Sequence, residues 1–357
     1  MSFVALDKLA IEVYGESHSE KIGACLTGIP AGINVDLSYV EEYLRRRKAK
    51  ATAFSTKRLE PDNAIILSGL NDVTTDGKTI EIEIKNTSTR SRDYDSIQGK
   101  PRPSHADYPL YVKNGVNYDI SGGGAFSGRM TAPLVALGGI ASAILADKGI
   151  ELYSYVSEIG GIKSSSYKDS DVLIEDIPNV YGEDLPLKDN NARDAIEELI
   201  QATAKSGDSL GGVIECIAYN VPVGIGDAMF NGIESKFASL VFGVPAVKGI
   251  EFGMGFDIAK MKGSVANDVY RYYGGKVVTE TNNNGGIVGG MANGMPIAVR
   301  VAIKPTPSIS KEQKTVDMRT GENTTIKIEG RHDVCIVPRA VVCVESCLAL
   351  ALLDCIL

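Results

Sequence analysis

The stretch Ala340-Val-Val-Cys-Val-Glu-Ser-Cys-Leu-Ala-Leu-Ala-Leu-Leu-Asp-Cys-Ile-Leu357 is the most apolar part of the chain. It contains two acidic residues, Glu345 and Asp354, and it is shorter than the roughly 20 apolar residues that a membrane-spanning helix needs. We therefore predict a buried or half-buried C-terminal helix. A helix with apolar residues on most sides needs other elements to cover it, so this stretch favours a fold in which sheets cover helices.

Patterns elsewhere in the chain indicate which elements form this cover. Helical patterns occur at residues 38–48, 130–148 and 192–206, and alternating, strand-like patterns occur at residues 80–84 and 297–303. Ser38 with Glu41 predicts a capping box at the start of the first helix. Helices and strands follow an irregular order, unlike the strict alternation of a doubly wound sheet. The sequence thus predicts an α+β fold of one domain, residues 1–357, with antiparallel sheets covering helices.

Composition and charge exclude some classes of protein. The chain has 357 residues, 44% of them hydrophobic, which is enough for a large core. Its formal net charge of -8 has the opposite sign to that of a typical nucleic-acid-binding protein, so any anion must be bound by a local basic cluster. The N-terminus lacks a secretory signal pattern, and the six cysteines lack the spacing of a disulfide framework. We expect a reduced, cytoplasmic protein without a membrane or nucleic-acid partner.

Histidine is the first indication of chemistry, because the chain has only three: His18, His105 and His332. Each lies in a polar, turn-like context beside Ser, Arg or Asp, where an imidazole can face a cleft and exchange protons near neutral pH. The alternative is that each histidine only caps a turn or fills a polar niche. Three histidines in such contexts favour the catalytic interpretation for the set.

A basic run and two glycine-rich segments suggest anion binding. Residues 45–58 hold seven basic side chains and no acidic one, and guanidinium groups bind phosphates and carboxylates through paired hydrogen bonds. Residues 121–129 and 282–294 are rich in glycine, which lets backbone N–H groups approach a phosphate or a planar ring. For the basic run, the alternatives are a solvated helix end whose charges complement the helix dipole and a nucleic-acid contact. For the glycine-rich segments, the alternative is that they are simple turns.

A zinc site is a weaker alternative. His332, Cys335, Cys343 and Cys347 have spacings within reach of one another. Cys343 and Cys347, however, stand four residues apart inside the apolar C-terminal stretch, where cysteine acts as a small hydrophobic residue. We predict no metal.

Taken in order along nearly the whole chain, these features resemble the chorismate synthase family. The matching segments are Tyr14-Gly-Glu-Ser-His18, Gly28-Ile-Pro-Ala-Gly32, Arg45-Arg-Arg47, Glu60-Pro-Asp62, Asn86-Thr87, Ser91-Arg-Asp-Tyr94, Arg102-Pro-Ser-His-Ala-Asp-Tyr108, Gly122-Gly-Gly124, Gly207-Asp-Ser-Leu-Gly-Gly212, Pro245-Ala-Val-Lys-Gly249, Gly285-Gly-Ile-Val-Gly-Gly290, Asn293-Gly-Met-Pro296, Lys304-Pro-Thr-Pro-Ser308, and Gly330-Arg-His-Asp-Val-Cys335 with Pro338-Arg-Ala340. The first and the last of these are close to diagnostic.

The resemblance implies a fold, a reaction and a cofactor. Family members are single-domain β-α-β sandwiches, with helical layers between antiparallel sheets, and they assemble as homotetramers. They are lyases that convert 5-enolpyruvylshikimate 3-phosphate to chorismate and phosphate by 1,4-elimination, the last common step of aromatic amino-acid biosynthesis in the shikimate pathway. The reaction needs reduced FMN although no net redox change occurs, and an external flavin reductase or reductant supplies the electrons. The alternative is a bifunctional form that reduces its own flavin with NADPH, and no dinucleotide fingerprint occurs in the sequence.

The resemblance also gives roles to individual residues. His18 matches a histidine that protonates the departing phosphate, and His105 matches one that interacts with reduced flavin and balances its charge. Asp333 matches an aspartate that helps to take the C6 proton by way of flavin N5. The matching substrate-binding residues are Ser17, Arg46, Arg47 and Arg129. The matching cofactor-binding residues are Ala125, Phe126, Ser127, Ala246, Gly289, Lys304, Pro305, Thr306, Pro307, Ser308 and Arg331.

The sequence departs from the family pattern at several positions. Ser19 follows His18 where the family usually has glycine, and Ala125 stands where many members have arginine. Residues 48–53 lack a familiar Pro-Gly start and a downstream arginine, for which Lys50 is the nearest substitute. A lysine is a point charge, however, and lacks the paired donors of a guanidinium group.

Overall fold

The secondary structure is given by a computed structural model that describes residues 1–49, 60–87, 97–167, 183–188, 190–328 and 333–357. Within these residues the α-helices are α1 (Ser38–Arg47), α2 (Asp107–Asn114), α3 (Thr131–Asp147), α4 (Asn190–Ser206), α5 (Ile233–Val241), α6 (Gly263–Ala266) and α7 (Val337–Ile356). The strands are β1 (Ser2–Ala5), β2 (Ala10–Gly15), β3 (Lys21–Thr27), β4 (Ala64–Ser68), β5 (Leu70–Asn71), β6 (Thr74–Thr75), β7 (Ile80–Lys85), β8 (Glu151–Ile159), β9 (Ile162–Lys163), β10 (Gly212–Tyr219), β11 (Val247–Phe252), β12 (Tyr270–Tyr273), β13 (Lys276–Thr279), β14 (Ile287–Val288), β15 (Met291–Ala292), β16 (Ile297–Ile303), β17 (Gln313–Asp317) and β18 (Glu322–Ile326). A 3₁₀ segment at Ser121–Phe126, named here the glycine turn, precedes α3.

Two five-stranded antiparallel sheets form the outer layers. The first has the strand order β1-β2-β3-β7-β4, and the second has the order β11-β16-β10-β8-β9. In β3 and β7 every second residue is fully buried, namely Ile22, Ala24, Leu26, Ile80, Ile82 and Ile84. Because successive side chains of a strand point to opposite faces, this alternation gives the first sheet one apolar face.

Helices α1, α3 and α7 lie between the two sheets. α3 contacts β3 and β7 of the first sheet, whereas α7 contacts β8 and β10 of the second. The two helices also pack closely against each other: a Cβ at Gly138 would lie 2.2 Å from the Cβ of Ser346, so a larger residue would push the helices apart. The layers therefore follow the order sheet, helices, sheet, which confirms the predicted α+β sandwich.

The C-terminal helix α7 is buried along almost its whole length, as its apolar sequence predicts. It begins at Val337, three residues earlier than the apolar pattern indicated, because Pro338 is compatible with the first turn of a helix. Cys343 and Cys347 are buried in the core, and burial raises the pKa of both thiols. They therefore act as small hydrophobic residues.

The central helix α3 is even more apolar than α7. The segment Gly128–Asp147 is long and apolar enough to cross a membrane, but 83% of its most apolar window is buried inside the protein. A helix that is apolar on all sides is typical of the centre of a large core. One continuous cluster of buried residues includes α3 and joins it to both sheets.

The start of α1 differs from the sequence prediction. Leu37 occupies the N-cap position and Ser38 is already inside the helix. Asp36 accepts the Ser38 N–H instead (3.0 Å). The capping box predicted for Ser38 and Glu41 is therefore wrong, because an aspartate two residues earlier takes the capping role. The predicted strands at 80–84 and 297–303 are confirmed as β7 and β16, and α4 begins two residues before its predicted start.

Candidate active site

The loop after β2 carries the first predicted catalytic residue, His18. Ser17 in this loop is fully buried, and its backbone N–H donates to the Gly124 carbonyl (3.2 Å). The Ser19 hydroxyl accepts the Glu16 N–H (3.0 Å) and lies 2.8 Å from the Glu16 carbonyl. The serine that replaces the family glycine thus closes the loop through its side chain. The loop itself lies against the glycine turn.

The turn before α2 carries His105, whose ring contacts a buried ion pair. The Nδ1 atom of His105 lies 2.5 Å from Oδ1 of Asp107. The Arg102 guanidinium binds the same carboxylate through Nε (2.7 Å) and Nη2 (2.8 Å). Asp107 had no role assigned from the sequence. The signal that could have found it is the spacing His-x-Asp, since a carboxylate two residues after a histidine can reach its ring.

The glycine turn lies next to the Nε2 atom of the same imidazole. Gly123 has a left-handed φ of +82°, and a Cβ at this position would lie 3.4 Å from Nε2 of His105. Its neighbour Gly124 binds the Ser17 N–H. The two histidine-bearing loops that the sequence singled out therefore meet at one turn.

Two of the predicted substrate-binding arginines, Arg47 and Arg129, share one buried carboxylate. Asp62 accepts a hydrogen bond from Nη1 of Arg47 (3.0 Å) and forms a second ion pair with Nη1 of Arg129. Arg47 also donates to Thr131 Oγ1 (2.9 Å) and to the Gly128 carbonyl (2.8 Å). Burial lowers the pKa of Arg47 to about 10, so its guanidinium stays charged at neutral pH. Within this described group of three side chains, two cations on one carboxylate leave a net positive charge.

Asn86 connects this arginine pair to the His18 loop. Its side-chain oxygen accepts a hydrogen bond from Nε of Arg129 (2.9 Å). Its amide nitrogen donates to the Ser19 carbonyl (2.7 Å) and to the Glu16 carbonyl (3.2 Å). The arginine pair and the loop that carries His18 thus belong to one hydrogen-bonded unit.

Arg339 in α7 connects the predicted carboxylate, Asp333, to the arginines. Its Nη1 donates to Asp333 (2.8 Å), and its Nε donates to the Arg47 carbonyl (3.2 Å). Asp333 therefore lies near the end of α1 that carries Arg47. Sequence reasoning gave no role to Arg339 or to Asp62, although both lie in segments that match the family.

The third predicted arginine, Arg46, lies in the helical layer. Its guanidinium donates to both carboxylate oxygens of Glu345 in α7 (2.7 and 2.8 Å) and lies 5.4 Å from the centre of the Tyr43 ring. Only 6% of its side chain is exposed, and Glu345 is fully buried. Consecutive helical residues are rotated by about 100°, so Arg46 and Arg47 face different sides of α1. The structure thus brings Arg47 and Arg129 together and separates Arg46 from them.

The segment after β16, which holds several of the predicted cofactor-binding residues, runs beside the His105 turn. The Lys304 ammonium donates to the Ser104 carbonyl (2.5 Å), and Nη1 of Arg102 donates to the Ser308 hydroxyl (3.3 Å). The Lys304 N–H also binds the carbonyl of Ala246 (2.9 Å), a residue with a left-handed φ of +75°. Lys304 and Ser308 therefore contact residues of the turn that carries His105, and Ala246 adjoins Lys304.

Thr306 in the same segment has a buried hydroxyl that finds no hydrogen-bond partner among the described residues. Buried hydroxyls are rarely left without a partner, so this oxygen is a candidate contact for a bound ligand. The two flanking prolines make local contacts. Pro305 packs against Gly211, and the Pro307 carbonyl accepts a hydrogen bond from the Gln313 side chain (3.3 Å).

The remaining predicted cofactor residues lie in other settings. Ala125 and Phe126 are exposed at the end of the glycine turn, and Ser127 follows them directly. Gly289 lies at the tip of the β14–β15 hairpin rather than in the segment after β16. Outside the described residues lie Arg331, His332 and residues 50–58 of the basic run.

Comparison with known proteins covers nearly the whole chain. A family model described as chorismate synthase matches residues 9–357. The chain belongs to the chorismate synthase family. A chorismate synthase of Dehalococcoides mccartyi is 42% identical over 344 residues, which are 96% of this chain and 93% of the relative. Those of Thermococcus kodakarensis and Pyrococcus abyssi are 42% and 43% identical over 346 residues, 97% of this chain and 95% of each relative.

The fold agrees with this membership. A crystal structure of a chorismate synthase has a TM-score of 0.75 to this chain at 29% identity, and the match covers 98% of this chain and 92% of the other. The sequence predictions of the chorismate synthase family, of its sandwich fold and of a lyase in aromatic amino-acid biosynthesis are thereby confirmed. The enzyme acts on a small-molecule substrate.

Proposed function

We propose that the glycine turn is the centre of the active site, in which 5-enolpyruvylshikimate 3-phosphate loses phosphate and a C6 hydrogen to give chorismate. One observation carries this proposal: Gly124 binds the loop of His18, and Gly123 faces the ring of His105. A positive arginine pair and the carboxylate of Asp333 are linked to the same unit. An elimination of phosphate needs a cationic site, an acid and a base, and these groups supply all three.

Arg47 and Arg129 are the proposed ligands of the substrate's anionic groups. The substrate carries a phosphate and two carboxylates, and burying such charges without cations is prohibitive. Among the residues that the structure describes, Asp62 is the carboxylate that pairs with these two guanidinium groups and it balances one of their two charges, so a bound anion completes the charge balance. We do not assign Arg46 to this site, because Glu345 already occupies its guanidinium.

His18 and Asp333 are the proposed proton donor and acceptor. As the C3–O bond breaks, the departing phosphate keeps the bonding electrons, and His18 donates a proton to it. The electrons of the C6–H bond remain in the new double-bond system, and Asp333 accepts the proton. Arg339 fixes the orientation of this carboxylate through a hydrogen bond of 2.8 Å. Ser17, buried beside His18, holds the donor loop against the glycine turn.

Reduced FMN is the proposed cofactor, and the residues around His105 fit it. When bound, it supplies electron density that promotes the departure of phosphate and is returned when the hydrogen leaves. Lys304 offers a cation for the FMN phosphate, and the buried Thr306 hydroxyl, without a partner among the described residues, offers a hydrogen bond. Phe126 is an exposed aromatic ring at the end of the glycine turn and suits contact with a planar ring system. Arg331 remains part of the proposed set.

The electrons of the flavin are proposed to come from an external reductase or reductant in the cytoplasm. All six cysteines of the chain have free thiols, a pattern typical of reducing compartments.

An anaerobic assay of phosphate release tests the cofactor and the electron source together. We expect turnover of 5-enolpyruvylshikimate 3-phosphate with dithionite-reduced or photoreduced FMN, and none with NADPH plus oxidised FMN. Inorganic phosphate and NADPH absorbance are measured in the same reaction. Fast NADPH oxidation by the pure protein would favour the bifunctional alternative, and a lack of phosphate release with reduced FMN would contradict the proposed reaction.

A homotetramer is the proposed assembly, and exposed apolar residues support it. Exposed apolar and aromatic residues occur on and around two hairpins: Val223, Met229, Phe230, Val288 and Met291 around the β14–β15 hairpin, and Tyr270, Tyr272 and Tyr273 on the β12–β13 hairpin. Monomeric proteins rarely expose large apolar patches, and an isolated two-stranded hairpin is marginally stable. A second copy of the chain is the proposed cover, and the family resemblance implies four copies.

Light scattering after size-exclusion chromatography tests the assembly. We expect a mass of about four times the 38.0 kDa of the chain. Phe230→Asp combined with Tyr272→Asp is expected to give smaller species, because burying a charge in an apolar interface is costly. Val112→Asp, at an exposed position on α2, is the matched control and should leave the mass unchanged. A monomeric parent protein would contradict the proposal.

A further inference from the structure

Asp107 is a fully buried carboxylate that no step of the proposed reaction uses directly. Its oxygens accept four hydrogen bonds from two residues. Arg102 donates its backbone N–H (3.0 Å), Nε (2.7 Å) and Nη2 (2.8 Å), and the fourth contact is with Nδ1 of His105 (2.5 Å). A carboxylate with this many partners holds a fixed orientation.

The charge state of Asp107 determines which atom donates in the contact with His105. Burial alone would raise the pKa of Asp107, but the hydrogen bonds from Arg102 and His105 outweigh burial and hold the pKa well below its usual range. An ionised carboxylate only accepts hydrogen bonds, so the shared hydrogen belongs to Nδ1. Nη2 of Arg102 carries two hydrogens. It donates one to Oδ1 of Asp107 (2.8 Å), and its contact with Nδ1 of His105 (3.1 Å) is longer than the contact of 2.5 Å between Nδ1 and the same carboxylate oxygen.

We propose that Asp107 is a positioning residue that fixes His105 in the Nδ1–H tautomer and leaves Nε2 facing the glycine turn. A neutral imidazole has one N–H group, so a hydrogen fixed at Nδ1 leaves the lone pair at Nε2. Of the ring atoms, Nε2 lies nearest to the position that a Cβ on Gly123 would occupy in the proposed active site. The inference rests on the proposed function, in which the residues around His105 hold reduced FMN, and the lone pair at Nε2 lets this face of the ring take up a proton and so balance the charge of the bound cofactor.

The backbone around His105 is held as firmly as its ring. Ser104 has a left-handed φ of +59°, which is uncommon for a residue other than glycine and costs conformational energy. Lys304 holds its carbonyl (2.5 Å), and Arg102 binds Ser308 (3.3 Å). The turn that presents His105 is thus tied to the proposed cofactor segment. Asp107 neutralises the charge of the Arg102 guanidinium, which makes one of these connections.

The tautomer can be measured by ¹⁵N NMR of the histidine rings in the full-length protein. The chain has only three histidines, and His105→Ala assigns the relevant signals. Above the pH at which the ring loses its second proton, we expect a pyrrole-type Nδ1 and a pyridine-type Nε2 for His105. The opposite assignment would overturn the inference. Because the tautomer is read from the spectrum of the parent protein, it decides the question even where Asp107→Asn fails to fold.

Asp107→Asn tests the consequence of losing the charge. The amide has one oxygen, which Arg102 retains, so its N–H₂ group turns towards Nδ1 and favours the Nε2–H tautomer. We expect this tautomer in the spectrum and a fall in kcat of about 10²–10⁴-fold, as for other histidines that lose an orienting carboxylate, with little change in the KM of the substrate. Asp268→Asn is the matched control, because Asp268 also accepts several hydrogen bonds, from the loop 281–284, and it should keep both the parent tautomer and the parent kcat.

The outcomes separate this inference from the proposed function. If Asp107→Asn folds and keeps the Nδ1–H tautomer and the parent kcat, Asp107 does not position His105. If His105→Ala is as active as the parent, the proposed role of His105 fails, whereas the measured tautomer still tests Asp107. If His105→Ala is inactive and the parent ring is the Nε2–H form, only the Asp107 inference fails.

Discussion

Replacing His18 with alanine is expected to lower the rate of phosphate release by about 10²–10⁴-fold, the usual contribution of a general acid. The phosphate is a poor leaving group until it is protonated or paired with cations. Arg47 and Arg129 remain in the variant, so binding persists while proton donation is lost. The rate is measured anaerobically with saturating reduced FMN. We expect the loss in His18→Ala to appear in kcat, whereas a variant of Arg47 or Arg129 should lose kcat/KM through weaker binding.

The control must show that the loop keeps its structure. Ser17, Ser19 and Asn86 hold this loop through hydrogen bonds that do not involve the imidazole, so His18→Ala should stay folded, which its melting temperature checks. His332→Ala is the matched histidine variant, because no catalytic role is assigned to it, and it should remain active. A His18→Ala variant with the parent rate would remove this residue from the mechanism.

The fold was predictable because its signals are local. The apolar run of α7 and the alternation in β7 and β16 show burial in a few consecutive residues, and the order of motifs identified the family. The capping box predicted at Ser38 was wrong because two local signals competed there. Asp36 is an equally good capping residue, and the sequence does not show which of the two lies outside the helix.

The candidate site was only partly predictable, because its charges are paired over long distances in the chain. The sequence shows Arg46 and Arg47 side by side as equal members of a basic run. The partners that distinguish them are Glu345 and Asp62, 299 and 15 residues away. A residue's charge is local information, whereas the partner that neutralises it depends on the fold. The role of Arg339 was also hidden, because its Nε binds the carbonyl of Arg47, 292 residues away.

The ion pair of Arg46 and Glu345 gives the second large expected effect. Glu345→Ala leaves a guanidinium buried between α1, β8 and α7 without a carboxylate, which costs about 3–5 kcal/mol of the free energy of unfolding. We therefore expect a lower midpoint in urea and a lower melting temperature for this variant. The double variant Arg46→Met, Glu345→Leu removes both charges and keeps side chains of similar volume, so it should recover most of the loss. Ser154, which donates to Glu345, also lies 3.3 Å from the Val341 carbonyl and keeps that acceptor.

Activity of the double variant then decides the role of Arg46. If Arg46 is structural, as its burial indicates, a folded double variant retains a kcat/KM close to that of the parent. If Arg46 binds the substrate, the variant folds but loses a charged hydrogen bond worth about 1.5–3 kcal/mol, which corresponds to a loss of roughly 10–150-fold in kcat/KM. Arg47→Met is the comparison at the next position of α1, because Asp62 keeps its ion pair with Arg129 in this variant. We expect this change to abolish turnover even where the protein folds, since Arg47, unlike Arg46, belongs to the unit that contains His18 and Asp333.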